Sequence, residues 1–256
     1  MLDKEIEKNR YDKRANIALK SFSYIKDFKL GSSSIPLHLR HPYTFYEELI
    51  IDTVKPDFKV LELGSGAGEF TGVLLNTNAN VIASDISEKS LELLKLRYQH
   101  STNLTVCQCD MENPPFSDLY FDVVVAAGSL SYGDNRIVLS QILRILKPGG
   151  YFICVDSLNH NLIYRLNRFL HYLRGNRSRS TLARMPTINL INQYIYAMGG
   201  PFIIRFFGGF SWFISPISRL GGGWWSDFSN FYDRVFNVQK SAFKFVFLVK
   251  KKGLHD

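Results

Sequence analysis

The sequence predicts an α/β fold, a doubly wound and mostly parallel sheet with helices on both faces. Three observations carry that prediction. Short apolar runs at 59–63, 80–85, 104–111, 121–128 and 146–157 alternate with stretches of helical pattern, and such alternation needs crossover helices that cover both faces of a parallel sheet. A turn rich in glycine follows the first run. The chain has 256 residues, 46% hydrophobic and 21% charged, which suits one large domain with a full core, or two small ones, and argues against disorder.

KVLELGSGAGEFTGVLL (59–75) reads as a buried strand, a turn through Gly64, Gly66 and Gly68, and a helix. Glycines at such a turn let the backbone approach a ligand that a Cβ would block. NVIASDISEKSLELLKLRY (80–98) is a second strand ending at Asp85, then a helix capped by Ser87. Asp85 lies 21 positions after Gly64, the distance at which an acidic residue reaches ribose hydroxyls. LTVCQCDM (104–111) is a third strand ending in Asp110, and FDVVVAAG (121–128) a fourth. A helix over about 135–146 leads to the fifth strand, LKPGGYFICVDS (146–157).

Other parts of the chain narrow the class. Cys107, Cys109 and Cys154 form neither a disulfide framework nor a CxxC pair and read as buried free thiols, which fits the cytoplasm. No clustered ligand set suggests a metal. The N-terminus MLDKEIEKNRYDKRA is charged and lacks the apolar core of a secretory signal, and the apolar stretch 201–220 is broken by Arg205, two glycines and Pro216. The net charge of +8 is uneven: from Ser157 to Ser226 there is no acidic residue against eight arginines. A basic segment of that kind points to a local anionic ligand or an anionic membrane.

In order, Glu62-Leu63-Gly64-Ser65-Gly66-Ala67-Gly68, Asp85-Ile86, Asp110-Met111 and Leu146-Lys147-Pro148-Gly149-Gly150 resemble the motifs of class I S-adenosylmethionine-dependent methyltransferases over roughly 58–157. A dehydrogenase would space its glycines as GxGxxG, whereas here they alternate. The resemblance implies a Rossmann-like sheet of seven strands, the last antiparallel. It implies S-adenosylmethionine as cofactor and S-adenosylhomocysteine as product. Its cofactor residues would be Glu62, Gly64, Ser65, Gly66, Gly68, Asp85, Ile86, Asp110 and Met111, with Ala127 and Ser129 after the fourth strand and Tyr11 from an N-terminal cap.

The stretch 113–116 reads Asn-Pro-Pro-Phe, the tetrapeptide that base-methylating enzymes hold against a target amine. In those enzymes it follows the fourth strand. Here it precedes that strand, which makes it a stiff loop with Phe116 packed near the adenine side of the pocket and argues against a nucleic-acid substrate.

Parallel sheets present ligands at the carboxyl ends of their strands, so the segment Asp156–Asn161 is expected to face the transferred methyl. His160 is the first candidate for general base and His41 the second. Tyr43, Tyr132, Asn159, Arg165, Arg168 and Arg184 are candidate acceptor contacts. Leu162, Leu166, Phe169, Leu170 and Leu173 repeat at helical spacing, and Arg165 and Arg168 on that helix can converge on a phosphate. INLINQYIYAMG (188–199) is a further helix, with strands at 201–207 and 241–251. Residues 1–50 form a cap within the same domain, and 51–256 the main body with insertions at about 158–186 and 208–236. Trp212, Phe213, Trp224 and Trp225 in the second insertion would line a pocket or dip into a membrane interface.

The layout is similar to sugar methyltransferases of bacterial surface-polysaccharide gene clusters. That similarity implies O-methylation of a sugar on a nucleotide- or polyprenyl-diphosphate carrier. The alternatives are a lipophilic acceptor, such as a quinone precursor, methylated by an enzyme peripheral to the membrane, and a cofactor-binding protein without catalysis.

Overall fold

The computed structural model describes residues 2–21, 29–173, 178–209, 227–228, 231–233, 235, 238–239 and 241–253. Arg174, Arg177, Arg219 and the four aromatic residues 212, 213, 224 and 225 lie outside them, as does most of the expected insertion 208–236.

Seven strands form a single sheet in the order β3-β2-β1-β4-β5-β7-β6. They are β1 (Lys59–Leu63), β2 (Asn80–Asp85), β3 (Leu104–Gln108), β4 (Phe121–Ala127), β5 (Leu146–Ser157), β6 (Gly199–Phe207) and β7 (Lys244–Lys251). Strands β1 to β5 pair in parallel, while β7 runs antiparallel to both β5 and β6. That is the expected insertion of the last strand. The order reverses between β1 and β4, so the carboxyl ends of these two strands splay apart and leave a crevice.

Alternating side chains on the central strands feed two cores. Val124 and Ala126 join Leu61, Phe152 and Phe247 on one face, closed by Val138 and Ile142 of α5 (Asn135–Ile145) and by Ile191 and Tyr194 of α8 (Ile188–Met198). Val123 and Val125 join Val60, Ile153 and Val246 on the other, closed by Tyr46 and Ile50 of α2 (Leu37–Thr53) and by Leu74 of α3 (Thr71–Leu75). Burial of such residues at about 25 cal/mol per Å² supplies most of the driving force for the fold.

Helix α1 (Leu2–Ser21) packs against α4 (Glu88–Arg97) and α7 (Arg179–Ala183) rather than on the sheet. Polar clasps hold it there. Lys4 Nζ meets Asp110 at 2.5 Å and Glu112 at 2.7 Å, Ser87 Oγ donates to Asp12 at 2.6 Å, and Thr181 Oγ1 donates to Glu7 at 2.9 Å. The cap therefore bridges the cofactor side and the segment after β5.

Two sequence expectations change at this level, the place of Phe116 and the burial of Cys107 and Cys109. Helix α6 (Leu162–Leu173) forms where expected, yet its apolar stripe faces outward: Leu162 is 75% exposed and Leu173 63%, with Leu166, Phe169 and Leu170 exposed between them. Phe116 packs edge-on against Phe121 beside the core instead of near the pocket, and Arg144 clasps its loop through the carbonyls of Pro114 and Phe116. The side chain of Arg144 offers several donors to these two carbonyls, of which that of Pro114 also accepts the Phe116 N–H, and so holds the loop. Cys107 and Cys109 are only half-buried, whereas Cys154 is buried. No helix among the described residues is long and apolar enough to cross a membrane.

Candidate active site

A cavity of about 230 Å³ opens at the carboxyl ends of β1, β2, β3 and β4. Glu62, Gly64, Ser65 and Gly66 line it from the first turn, Asp85 and Ile86 from the second strand, and Asp110 and Met111 from the third. Ala127 and Ser129 close the floor, with Tyr11, Tyr43 and Tyr132 around the rim. The sequence-derived cofactor residues thus converge, with one exception. Gly68 lies outside the cavity; a Cβ there would meet the Tyr98 ring at 2.8 Å, and its carbonyl accepts from the Tyr98 hydroxyl at 2.6 Å. Its glycine serves the packing of the turn on α4.

Gly64 has a φ of +69°, and a Cβ on it would lie 2.6 Å from Ser129 Cβ. Such a position excludes L side chains on both conformational and steric grounds. Gly128, also at +69°, faces open space within the cavity wall. These two glycines make a bare backbone cradle, with Asp85 at its side. Asp85 Oδ2 accepts from the Gly66 N–H at 2.9 Å and Oδ1 from the Ser87 N–H at 2.8 Å. Burial raises the Asp85 pKa, and the two backbone donors oppose the rise. Each oxygen keeps a second lone pair for a ligand hydroxyl.

Glu62 is buried and accepts from Thr71 Oγ1 at 2.5 Å. Burial, reinforced by Glu69 and Asp85, pushes its carboxyl up to about 8. At the rim, the hydroxyls of Tyr11 and Tyr132 lie 2.7 Å apart with their rings edge to face, and Arg10 Nη2 donates to Tyr132 at 3.1 Å. Lys4, Glu7, Phe70, Ser84 and Cys109 also line the cavity and carried no signal in the sequence. Lys4 and Glu7 read as a charged N-terminal stretch, and only the docking of α1 brings them there.

The remaining candidates lie elsewhere. His160 does not line the cavity, and its Nε2 accepts from the Ile188 N–H at 3.3 Å, at the start of α8. His41, on α2, also stands off the cavity wall. Asn159 is tied through its N–H to the Pro186 carbonyl, and Arg184 borders a separate shallow cleft beside Asp134. Arg165 is exposed while Arg168 is only 8% exposed, so the two do not converge.

Residues 61–154 match the family model described as a methyltransferase domain. The ubiquinone/menaquinone biosynthesis C-methyltransferase of Wigglesworthia glossinidia brevipalpis is 30% identical over 112 residues, 41% of this chain and 45% of that protein. The demethylmenaquinone methyltransferase of Staphylococcus haemolyticus is 32% identical over 108 residues, again 41% and 45%. The chain thus spans less than half the length of these curated relatives. Among solved structures, geranyl diphosphate C-methyltransferase from Streptomyces coelicolor superposes with a TM-score of 0.60 at 16% identity, covering 83% of this chain and 77% of that one. The YcgJ protein of Bacillus subtilis gives 0.55 at 19% identity, covering 82% and 99%. At these identities the likeness shows the fold.

Proposed function

We propose that this chain, whose residues 61–154 form a class I S-adenosylmethionine-dependent methyltransferase domain, methylates a lipophilic small molecule at a membrane surface. When bound, S-adenosylmethionine supplies an electrophilic methyl group on a good sulfonium leaving group, so the protein's work is alignment and exclusion of water. The cradle of Gly64 and Gly128 fits the close approach of such a cofactor, and Asp85 is placed to take ribose hydroxyls. Tyr11 of α1 and Tyr132, joined through their hydroxyls, both line the cavity. Tyr43 stacks on Phe70 with ring centroids 5.4 Å apart, a flat apolar wall against which a planar acceptor could be held in line with the methyl.

The observation that carries the lipophilic reading is the outward apolar stripe of α6. A helix with such a stripe and arginines beside it suits an interfacial position on anionic lipid. The quinone-pathway relatives, matched over 41% of this chain, favour the same acceptor class. A methyl-transfer screen over quinols, lipid-linked sugars and nucleotide-sugars tests this. Transfer to a lipophilic quinol-type acceptor is expected. Transfer to soluble nucleotide-sugars alone would return the reading to polysaccharide O-methylation. Flotation with anionic liposomes, lost in Leu166→Asp/Phe169→Asp, checks the membrane component separately.

A further inference from the structure

Beyond the cofactor cavity, two buried cations meet at the carboxyl end of β5. Lys244, the first residue of β7, pairs with Ser157 at the end of β5 and with Phe207 at the end of β6. It is 8% exposed, as is Arg168 on α6. Their surroundings are rich in donors and poor in acceptors. Ser157 Oγ receives Tyr164 Oη at 2.8 Å and has Arg168 Nη2 and Lys244 Nζ each at 3.4 Å. Arg168 Nε donates to Tyr164 Oη at 3.0 Å, and Arg168 Nη1 is buried with no partner.

The nearby carboxylate does not balance this. Asp156 is buried, but its two oxygens accept the backbone N–H groups of Leu130 and Ser157 at 2.9 and 2.5 Å. Among the described residues, no carboxylate pairs directly with Arg168 or Lys244. The cluster therefore holds two buried positive charges against one buried carboxylate, which acts on both through space but makes no direct ion pair with either. Burying a cation without a direct counter-ion costs several kcal/mol. Burial opposes the charged form of Lys244, yet Tyr43, Tyr164 and Asp156 outweigh it and hold the ammonium protonated. A fold that keeps both charges there, with one guanidinium nitrogen idle, is short of an anion.

We propose that Arg168, Lys244 and Tyr164 form an oxyanion subsite that receives a carboxylate or phosphate group of the methyl acceptor. Its position fits, because Lys244 Nζ lies 4.9 Å from the centre of the Tyr43 ring, whose side chain walls the cofactor cavity. An acceptor anchored by its anion would lay its apolar part across Tyr43 toward the methyl. The unpartnered Nη1 and the ammonium, whose side chains both reach Ser157 Oγ, supply two cationic donors of the kind that bind oxyanions. This inference rests on the methyltransferase reading only for the identity of the ligand as acceptor.

The test is calorimetric titration of the full chain with inorganic phosphate, pyrophosphate and acetate, with and without S-adenosylhomocysteine. Saturable binding of at least one anion is expected, weakened tenfold or more in Arg168→Gln and Lys244→Met. Arg165→Gln, which removes an exposed charge from the same helix, should change it less than twofold. Should Lys244→Met not fold, Tyr164→Phe takes its place, with a loss of about threefold to tenfold. Preference for pyrophosphate or acetate tells a phosphorylated acceptor from a carboxylated one. Equal weakening by Arg165→Gln, or binding unchanged in Arg168→Gln, overturns the subsite. Failure of S-adenosylhomocysteine to bind the wild type sinks the methyltransferase reading instead, while the anion titrations still decide this one.

Discussion

The two ends of the crevice are built in different ways. The cofactor end is made of short contiguous segments, each a strand end with its following turn: 62–66, 85–86, 110–111 and 127–129. Backbone conformation and close approach do most of its work. The proposed acceptor end is made of single side chains from distant elements, with Lys244 reaching Ser157 across 87 residues of chain. Its character comes from charge held out of water. A site of the first kind is sensitive to an added atom, and a site of the second kind to a lost one.

Breaking the cofactor end by adding atoms should give the largest effect. Gly64→Val places a branched side chain at a φ of +69° against Ser129, so S-adenosylhomocysteine binding should fall below detection by calorimetry. Asp85→Ala removes a charged hydrogen-bond acceptor and frees the Gly66 and Ser87 N–H groups. The expected loss is about tenfold to a hundredfold in affinity, from charged hydrogen bonds worth about 1.5–3 kcal/mol. Retention of wild-type affinity by Asp85→Ala would remove the cofactor assignment.

Glu62 gives a smaller effect and a pH signature. Its folded carboxyl holds a proton up to about pH 8, against an ordinary value of 4.5. Between those values the native state binds more protons than the unfolded chain, so stability falls as pH rises through that window. The slope is at most about 1.4 kcal/mol per pH unit. Glu62→Gln should flatten the decline of Tm between pH 5 and 8; an unchanged profile would mean that Glu62 does not carry it.

The smallest effect expected is at His160. With its Nε2 accepting from the Ile188 N–H, the imidazole supports the start of α8 together with Thr187, whose side chain accepts from Leu190. His160→Ala should lower stability by about 1 kcal/mol, as loss of a cap does, and leave S-adenosylhomocysteine affinity unchanged. A loss of turnover beyond a hundredfold with an identified acceptor, at unchanged stability, would restore it as the base.

Much of this was legible in advance wherever the signal was local. Apolar runs bounded by glycine and acid placed β1 to β5, and the alternating glycines with Asp85 placed the cofactor cradle. Reading went astray where a local pattern had to stand for its partners. The leucine stripe of α6 predicts the helix but not its setting, because periodicity reports that a face is apolar and not what covers it. Phe116 reads as a pocket residue because Arg144, 28 positions away, leaves no mark on the loop it clasps. Lys244 carries no local mark of burial in SAFKFVFLVKK, since the partners that enclose it come from distant elements.

By itself, then, the sequence determined the α/β layering and the strand-end segments that line the cavity, while the antiparallel last strand came from the family resemblance. The first two depend on backbone preferences and on hydrophobic alternation, which act over a few neighbouring residues. Only the tertiary structure decided that α1 lends Lys4, Glu7 and Tyr11 to the cavity wall, that His160 is engaged at α8, and that Arg168 and Lys244 meet, both buried, at Ser157. Burial and charge are properties of what a side chain meets in space, and here those meetings are made by elements far apart in the chain.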